Sequence, residues 1–208
     1  MEMTTKRLIL RSWEENDAAD LYALASDPQI GPSAGWPPHK SVEDSLQIIR
    51  NVLQTPETYA LIWKEDNRLI GSAGLKMGKD SCSEKQDEPE LGYWIGRQFW
   101  GNGYATEAGE RLLRHAFEDL NSNAVWCCYY EGNERSKRVQ EKLGFTYVRT
   151  DPKGDTLLGY TLPEIENVLR KADFDDKSLL IKSQVLFQKI QWRKWRHNKE
   201  TVLKGGHA

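Results

Sequence analysis

The chain has 208 residues, of which 38% are hydrophobic and 29% charged, with a formal net charge of −2. These proportions exclude collagen-like, disordered and membrane classes, and near-neutrality argues against a generic nucleic-acid binder. At roughly 150 residues per domain, the length holds one domain plus a surplus, enough to bury a core without disulfides. The neutral sum conceals a split: residues 167–208 carry a net +6 and residues 1–166 a net −8. Cys82, Cys127 and Cys128 make an odd count without Cys/His metal spacing, so no metal is expected. An N-terminus without an apolar signal core, and no apolar run near ~18 residues, point to a soluble, reduced, cytoplasmic protein.

In chain order, Arg7-Leu8-Ile9-Leu10-Arg11 reads as a strand. Asn16 or Asp17 then caps a helix through Ser26, and Pro28 stops it. Residues 31–40, with Pro32, Gly35, Trp36, Pro37 and Pro38, form a loop. Ser41-Val42-Glu43-Asp44 opens a second helix in the manner of a capping box. Residues 58–63 and 68–75 read as strands joined by a polar turn, 78–89 as a loop and 90–95 as another strand. A glycine-bearing turn, 96–103, leads into a helix over 105–120. A strand at 124–130, a helix at 133–143 ended by Gly144, and strands at 145–149 and 156–162 complete the pattern. The order β-α-α-β-β-β-α-β-α-β-β predicts one α/β domain, a mixed sheet with helices on its faces.

The segment richest in chemistry is Gln98-Phe99-Trp100-Gly101-Asn102-Gly103-Tyr104-Ala105-Thr106. Glycines permit positive φ and close backbone approach. A helix N-terminus adds unpaired N–H groups and the positive end of a dipole, which together make a seat for phosphate oxygens. A glycine turn alone is more often geometry than binding. Here Gln-x-x-Gly-x-Gly-x-Ala resembles motif A of the GNAT N-acetyltransferases. Further strings follow in that family's order. Arg7–Arg11 resembles its first strand and Glu90-Leu91-Gly92-Tyr93-Trp94-Ile95 its fourth. Gly132-Asn133-Glu134-Arg135-Ser136 with Glu141-Lys142-Leu143-Gly144-Phe145 resembles its motif B. The set is similar to the branch that acetylates ribosomal-protein N-termini (RimJ/RimL-like), over about residues 4–166.

The resemblance implies the GNAT fold: a mixed, mostly antiparallel sheet with splayed fourth and fifth strands and helices on both faces. It implies acetyl-CoA as cosubstrate, with its pyrophosphate on the amides of Gly101 to Thr106 and Gln98 in the motif. The pantetheine arm would pair with backbone near Tyr93, Trp94 and Ile95, where an N–H would polarise the thioester carbonyl. It also implies an amine acceptor, either a protein N-terminal α-amine or a small-molecule amine, with direct transfer through a tetrahedral intermediate. Glu90, at the start of a strand beside the cleft, is the candidate base, directly or through water. The family's tyrosine acid is replaced by Gln140, and the branch pattern places Asn133 on the pantetheine amides and Ser136 on the thiol sulfur. Asn133 is also a natural helix N-cap. Trp36 is a candidate lining residue for the acceptor pocket. The acidic stretch Glu84, Asp87, Glu88 and Glu90 reads as a solvated loop or an attractor of cationic acceptors. His39 and His115 lack a neighbouring carboxylate pattern and read as structural, and a catalytic role for Cys127 or Cys128 is disfavoured.

The domain division expected is 1–166 and 167–208. Residues 178–200 read as a helix, with Lys182, Lys189, Arg193 and Arg196 within a sector of about 60° and several aromatic and aliphatic residues elsewhere. Packing on its own domain or on a second subunit competes with contact to RNA, a ribosome or a membrane. The rival to an enzyme is a non-catalytic acyl-CoA-binding or regulatory module whose basic tail recruits a partner.

Overall fold

The computed structural model describes residues 2–83 and 85–175. Its strands in chain order are β1 (Met3–Thr4), β2 (Leu8–Ser12), β3 (Thr58–Trp63), β4 (Arg68–Lys76), β5 (Glu90–Ile95), β6 (Ala124–Tyr130), β7 (Thr146–Gly154) and β8 (Leu162–Arg170). Its helices are α1 (Ala18–Ala25), α2 (Val42–Ile48), α3 (Tyr104–Arg114) and α4 (Glu134–Leu143). One sheet joins the strands in the order β1-β2-β3-β4-β5-β6-β8-β7, antiparallel except at β5 and β6. That one parallel step needs a crossover, and α3 supplies it.

Burial explains the layering. Leu69 to Ala73 on β4 are buried without alternation, the mark of a strand covered on both faces. Both α1 and α3 pack against it. Phe117, Leu112 and Leu113 from α3 and its wider last turn are fully buried, with Leu91 beneath them. Gly109 is the point of closest approach to α4: a Cβ there would meet Leu143 at 2.8 Å. β7 lies at the sheet edge and is exposed along nearly its whole length.

Most elements fall where expected, but the strand expected at 145–149 runs to Gly154, the last turn of the helix expected over 105–120 is widened, and two further differences bear on the site. Met3–Thr4 adds a short edge strand, so the splayed pair expected as fourth and fifth is β5 and β6. The last strand is Leu162–Arg170 rather than 156–162. It forms because it lies between β6 and β7, and pairing on both sides overrides a charged sequence with no clean alternation. This strand runs past residue 166, the expected end of the domain. The compact unit ends at Lys171. The tail helix expected over 178–200 lies outside the described residues. Among the described residues, no helix is long and apolar enough to cross a membrane.

Candidate active site

The sheet opens at one place. β5 and β6 share a single paired position, Glu90 with Trp126, secured by the Trp126 amide on the Pro89 carbonyl at 2.8 Å. Beyond it the strands part, and one edge of Leu91 to Ile95 has no strand partner. The Cys127 thiol donates to the Leu91 carbonyl at 3.1 Å near the vertex, which places Cys127 in the core. A cavity of about 1170 Å³ runs along the opening. Drug-sized ligands occupy roughly 300–1,000 Å³, so two substrates can meet here.

One end of the cavity is the glycine turn. Gly101 and Gly103 take φ of 78° and 80°, the left-handed region that glycine enters without strain. No side chain caps α3, so its first amides face the cavity at Tyr104, Ala105 and Thr106. Arg7 fixes the turn from β2's side. Its guanidinium donates to the Asn102 carbonyl at 2.9 Å and to Glu107 at 2.6 Å, and it stacks over the Tyr104 ring at 4.4 Å. Of the motif residues, Gly101 to Thr106 line the cavity except Asn102, which is exposed and folds its side chain back onto the Phe99 and Trp100 carbonyls at 3.2 Å. Gln98 is exposed and lies outside the lining. Arg135, Arg138 and Lys142 of α4 also line it, and Arg135 stacks on Trp100 at 3.8 Å. No motif in the sequence singled out these cations. Their spacing of three and four residues is the helical signal that would have found them.

The second group surrounds the start of α4. Asn133 is the N-cap, accepting from the Ser136 amide at 3.1 Å, while its own amide donates to the Ser33 carbonyl at 2.8 Å. Both ends of the side chain are thus engaged within the protein. The Tyr93 hydroxyl lies 3.1 Å from Ser136 Oγ and 3.2 Å from the Ser136 carbonyl oxygen. Gln140, fully buried, donates to Ser136 Oγ at 3.2 Å and accepts from Asn167 at 2.6 Å. With Gln140 donating to Oγ, and Tyr93 able to donate to either Ser136 oxygen, one hydroxyl proton of the pair remains for an outside acceptor. Burial, then the nearby Cys127, pushes the Tyr93 phenol well above its usual range, so it holds its proton at neutral pH. The hydroxyl absent from position 140 therefore arrives from β5.

The third group lies around Glu90. This buried carboxylate takes an ion pair from Lys76 at 2.7 Å on one oxygen and the Cys82 amide at 3.0 Å on the other. The expected base is in the cleft, with one partner on each carboxylate oxygen. Burial alone would lower the Lys76 pKa; the Glu90 charge overcomes this and holds the ammonium well above its ordinary value. Trp36 and Trp94 line the cavity, edge to face at 5.9 Å. Glu164 of β8 also lines it, and no sequence signal singled it out. Cys82, Cys128 and Glu90 bring ligand-type atoms within 4.8 Å of one another. Lys76 already occupies Glu90, so we assign no metal to them.

Two expectations are corrected here. His115 does have carboxylate neighbours: it bridges Glu57 at 2.9 Å and Asp119 at 2.7 Å, and it lies outside the cavity lining. Long-range folding supplies Glu57, which spacing along the chain cannot reveal. The acidic stretch is also not simply solvated. Glu88 is buried and accepts from Trp126 at 2.7 Å and Lys85 at 2.8 Å, and Asp87 accepts from Asn123. Glu84 lies outside the described residues. His39 is buried against Ser45 at 2.8 Å, and burial lowers its pKa, so it is neutral.

Residues 7–146 match the acetyltransferase (GNAT) domain family. The chain belongs to this acetyltransferase family. It is 30% identical over 146 residues to "Uncharacterized N-acetyltransferase p20" of Bacillus licheniformis, covering 68% of this chain and 80% of that one. It is 46% identical over 80 residues to "Putative ribosomal N-acetyltransferase YdaF" of Bacillus subtilis, 38% of this chain and 42% of the relative. The crystal structure of a GNAT-family acetyltransferase from Bacillus anthracis superposes with a TM-score of 0.73 at 19% identity, over 83% of this chain and 99% of that one. Acetyl-CoA is the donor that GNAT acetyltransferases use, and the chain's features fit it. The α3 amides and the α4 cations suit its phosphates, and the open β5 edge suits its amide-bearing arm. The RimJ/RimL branch is a narrower assignment than the family match carries.

Proposed function

We propose that the chain is an acetyl-CoA-dependent N-acetyltransferase that transfers acetyl directly to a protein N-terminal α-amine. The observation that carries this reading is the convergence, along one unpaired strand edge, of a phosphate seat and the Tyr93–Ser136 hydroxyl pair. The acceptor class is supported by the relative named for a ribosomal substrate. It is also supported by the carboxylates and tryptophans on the cavity wall around Glu90, which suit a cationic chain end.

Each residue then has a task. The amides at Tyr104 to Thr106, with Arg135 and Arg138, hold phosphate oxygens. A backbone N–H near Trp94 polarises the carbonyl that is attacked. Ser136, backed by Tyr93 and Gln140, donates to the departing sulfur. Asn133 sets the start of α4 and so the position of Ser136. Glu90 and Lys76 stay paired and set the charge of the acceptor side. The rival reading, a non-catalytic acyl-CoA-binding module, rests on the missing tyrosine at 140, and the Tyr93 hydroxyl weakens it.

The test is a competition among peptides with free α-amines, the same peptides N-terminally blocked but carrying lysine, and a small polyamine. Mass spectrometry would read the products. Acetylation of the free α-amine peptides first is expected. Preference for the polyamine would replace the acceptor class, and acetyl-CoA binding without any transfer would return the non-catalytic module.

A further inference from the structure

Glu90 lies in the cleft with a partner on each oxygen, whereas a carboxylate on the same wall without a partner is freer to take the proton that an acceptor ammonium must lose. Glu164 meets the requirement. It lies on β8 beside Tyr130 of β6 and Asp151 of β7, and its side chain reaches the cavity wall. Gly154 of β7 lets it lie there: a Cβ at that position would stand 2.6 Å from the Glu164 Cβ and 3.2 Å from Oε2. No hydrogen bond or ion pair is found for its carboxylate among the described residues.

We propose that Glu164 is the general base that accepts the proton of the acceptor ammonium. The inference rests on the acetyltransferase reading and adds to it a residue that the sequence did not indicate.

Its surroundings suit the task. Burial and the Glu90 charge push its carboxyl up to about 7, with Glu166 and Asp151 adding to the rise and Lys76 opposing it. Tyr130 and Cys128 stand on the neighbouring strand; burial keeps the phenol protonated, and the hydrogen bond with Cys82, then burial, does the same for the thiol. A free α-amine has a pKa of about 8, so most of it is ammonium at neutral pH. A base of nearly matched pKa takes such a proton with little penalty. In the step, one N–H proton passes to a Glu164 oxygen, and the freed lone pair forms the C–N bond. The C–S bond breaks with its electron pair on sulfur. As the amide forms, the nitrogen's second proton passes to the Ser136–Tyr93 pair and restores the one that the pair gave to sulfur.

The test is the pH profile of kcat/KM, with acetyl-CoA affinity measured alongside. Wild-type transfer, recorded first, tests the acetyltransferase reading by itself. The wild-type profile should rise through an acid limb centred near pH 7. Glu164→Gln should lower kcat/KM at pH 7 by about 100-fold, the lower end of what general base catalysis contributes. The deficit should close as the pH approaches that at which the amine is already neutral, with acetyl-CoA affinity unchanged. Glu164→Asp should recover part of the loss. Glu90→Gln removes a like charge, so the acid limb of that variant should move to lower pH. An unaltered limb in Glu164→Gln, or a loss equal at every pH, would overturn the assignment.

Discussion

In the proposed mechanism, Tyr93 and Ser136 together take the task that the family's tyrosine performs. Position 140 lies buried behind Ser136 and carries a glutamine, which has no proton to give a leaving thiolate. Its amide instead orients Ser136, and the phenol of Tyr93 completes the group from the neighbouring strand. Ser136→Ala should lower kcat about 10-fold or more, less than the ~100-fold or more of a positioned proton donor because the Tyr93 hydroxyl remains. Acetyl-CoA affinity should change far less, and calorimetry of the same variant separates the two quantities. Ser136 was legible in the sequence because it sits one turn after a cap. Tyr93 was legible only as part of a strand, since nothing along the chain joins residue 93 to residue 136. Glu164 was hidden for the same reason: its meaning depends on Glu90, which lies two strands away in the sheet.

The elements that position these side chains were the easier part to read. The long amphipathic helix, the glycine turn before it and the Asn133 cap carry local signals, and each forms where those signals put it. The phosphate turn, however, is held by a partner 95 residues away, Arg7 on the Asn102 carbonyl. Arg7→Ala removes that bond, the Glu107 ion pair and the stacking on Tyr104. It should cost about 1–2 kcal/mol of stability, in the range of hydrogen bonds to charged groups discounted for partial exposure. Affinity for acetyl-CoA should weaken with it, and both are measurable on one preparation. Burial would raise the Glu107 pKa, but bonds from Thr5 and Arg7 outweigh this and hold it below the usual carboxylate range. A depressed carboxylate stabilises the fold above its unfolded pKa of about 4.3 and loses that contribution as pH falls through the folded value. Denaturation midpoints of the wild type and Glu107→Gln should therefore converge as pH falls through and below the folded pKa. Gly103→Ala meets nothing closer than 3.7 Å, so its cost comes from the positive φ, about 1–2 kcal/mol. That cost should appear both as lower stability and as weaker binding at the turn.

The whole molecule divides at a different point from the one that charge suggested. Net charge changes sign in the 160s, yet β8 continues to Arg170 with Val168 and Leu169 buried. A charge count does not register sheet pairing, and Glu164, Glu166 and Asn167 made this strand look like the start of a tail. Truncation after Glu166 removes two buried apolar side chains, each about 1.5–3 kcal/mol, the buried Asn167 with its bond to Gln140, and half of a strand paired on both sides. That is comparable with the ~5–15 kcal/mol that separates most folded domains from unfolding. The shorter chain should be insoluble, whereas a chain ending at Lys171 should fold and show the thermal transition of the catalytic unit. Equal solubility of the two would show that residues 167–170 are dispensable.

At this scale the central claim is that the opening between β5 and β6 transfers acetyl to an amine, with the Tyr93–Ser136 pair serving the leaving sulfur. The most direct measurement is the release of free thiol from acetyl-CoA in the presence of a peptide with a free α-amine. It would compare the wild type with the double variant Tyr93→Phe, Ser136→Ala at equal acetyl-CoA occupancy. The wild type should release thiol in step with peptide acetylation, and the double variant should be slower by about 100-fold or more. Thiol release from the double variant at the wild-type rate, or none from a wild type saturated with acetyl-CoA and peptide, would contradict the claim.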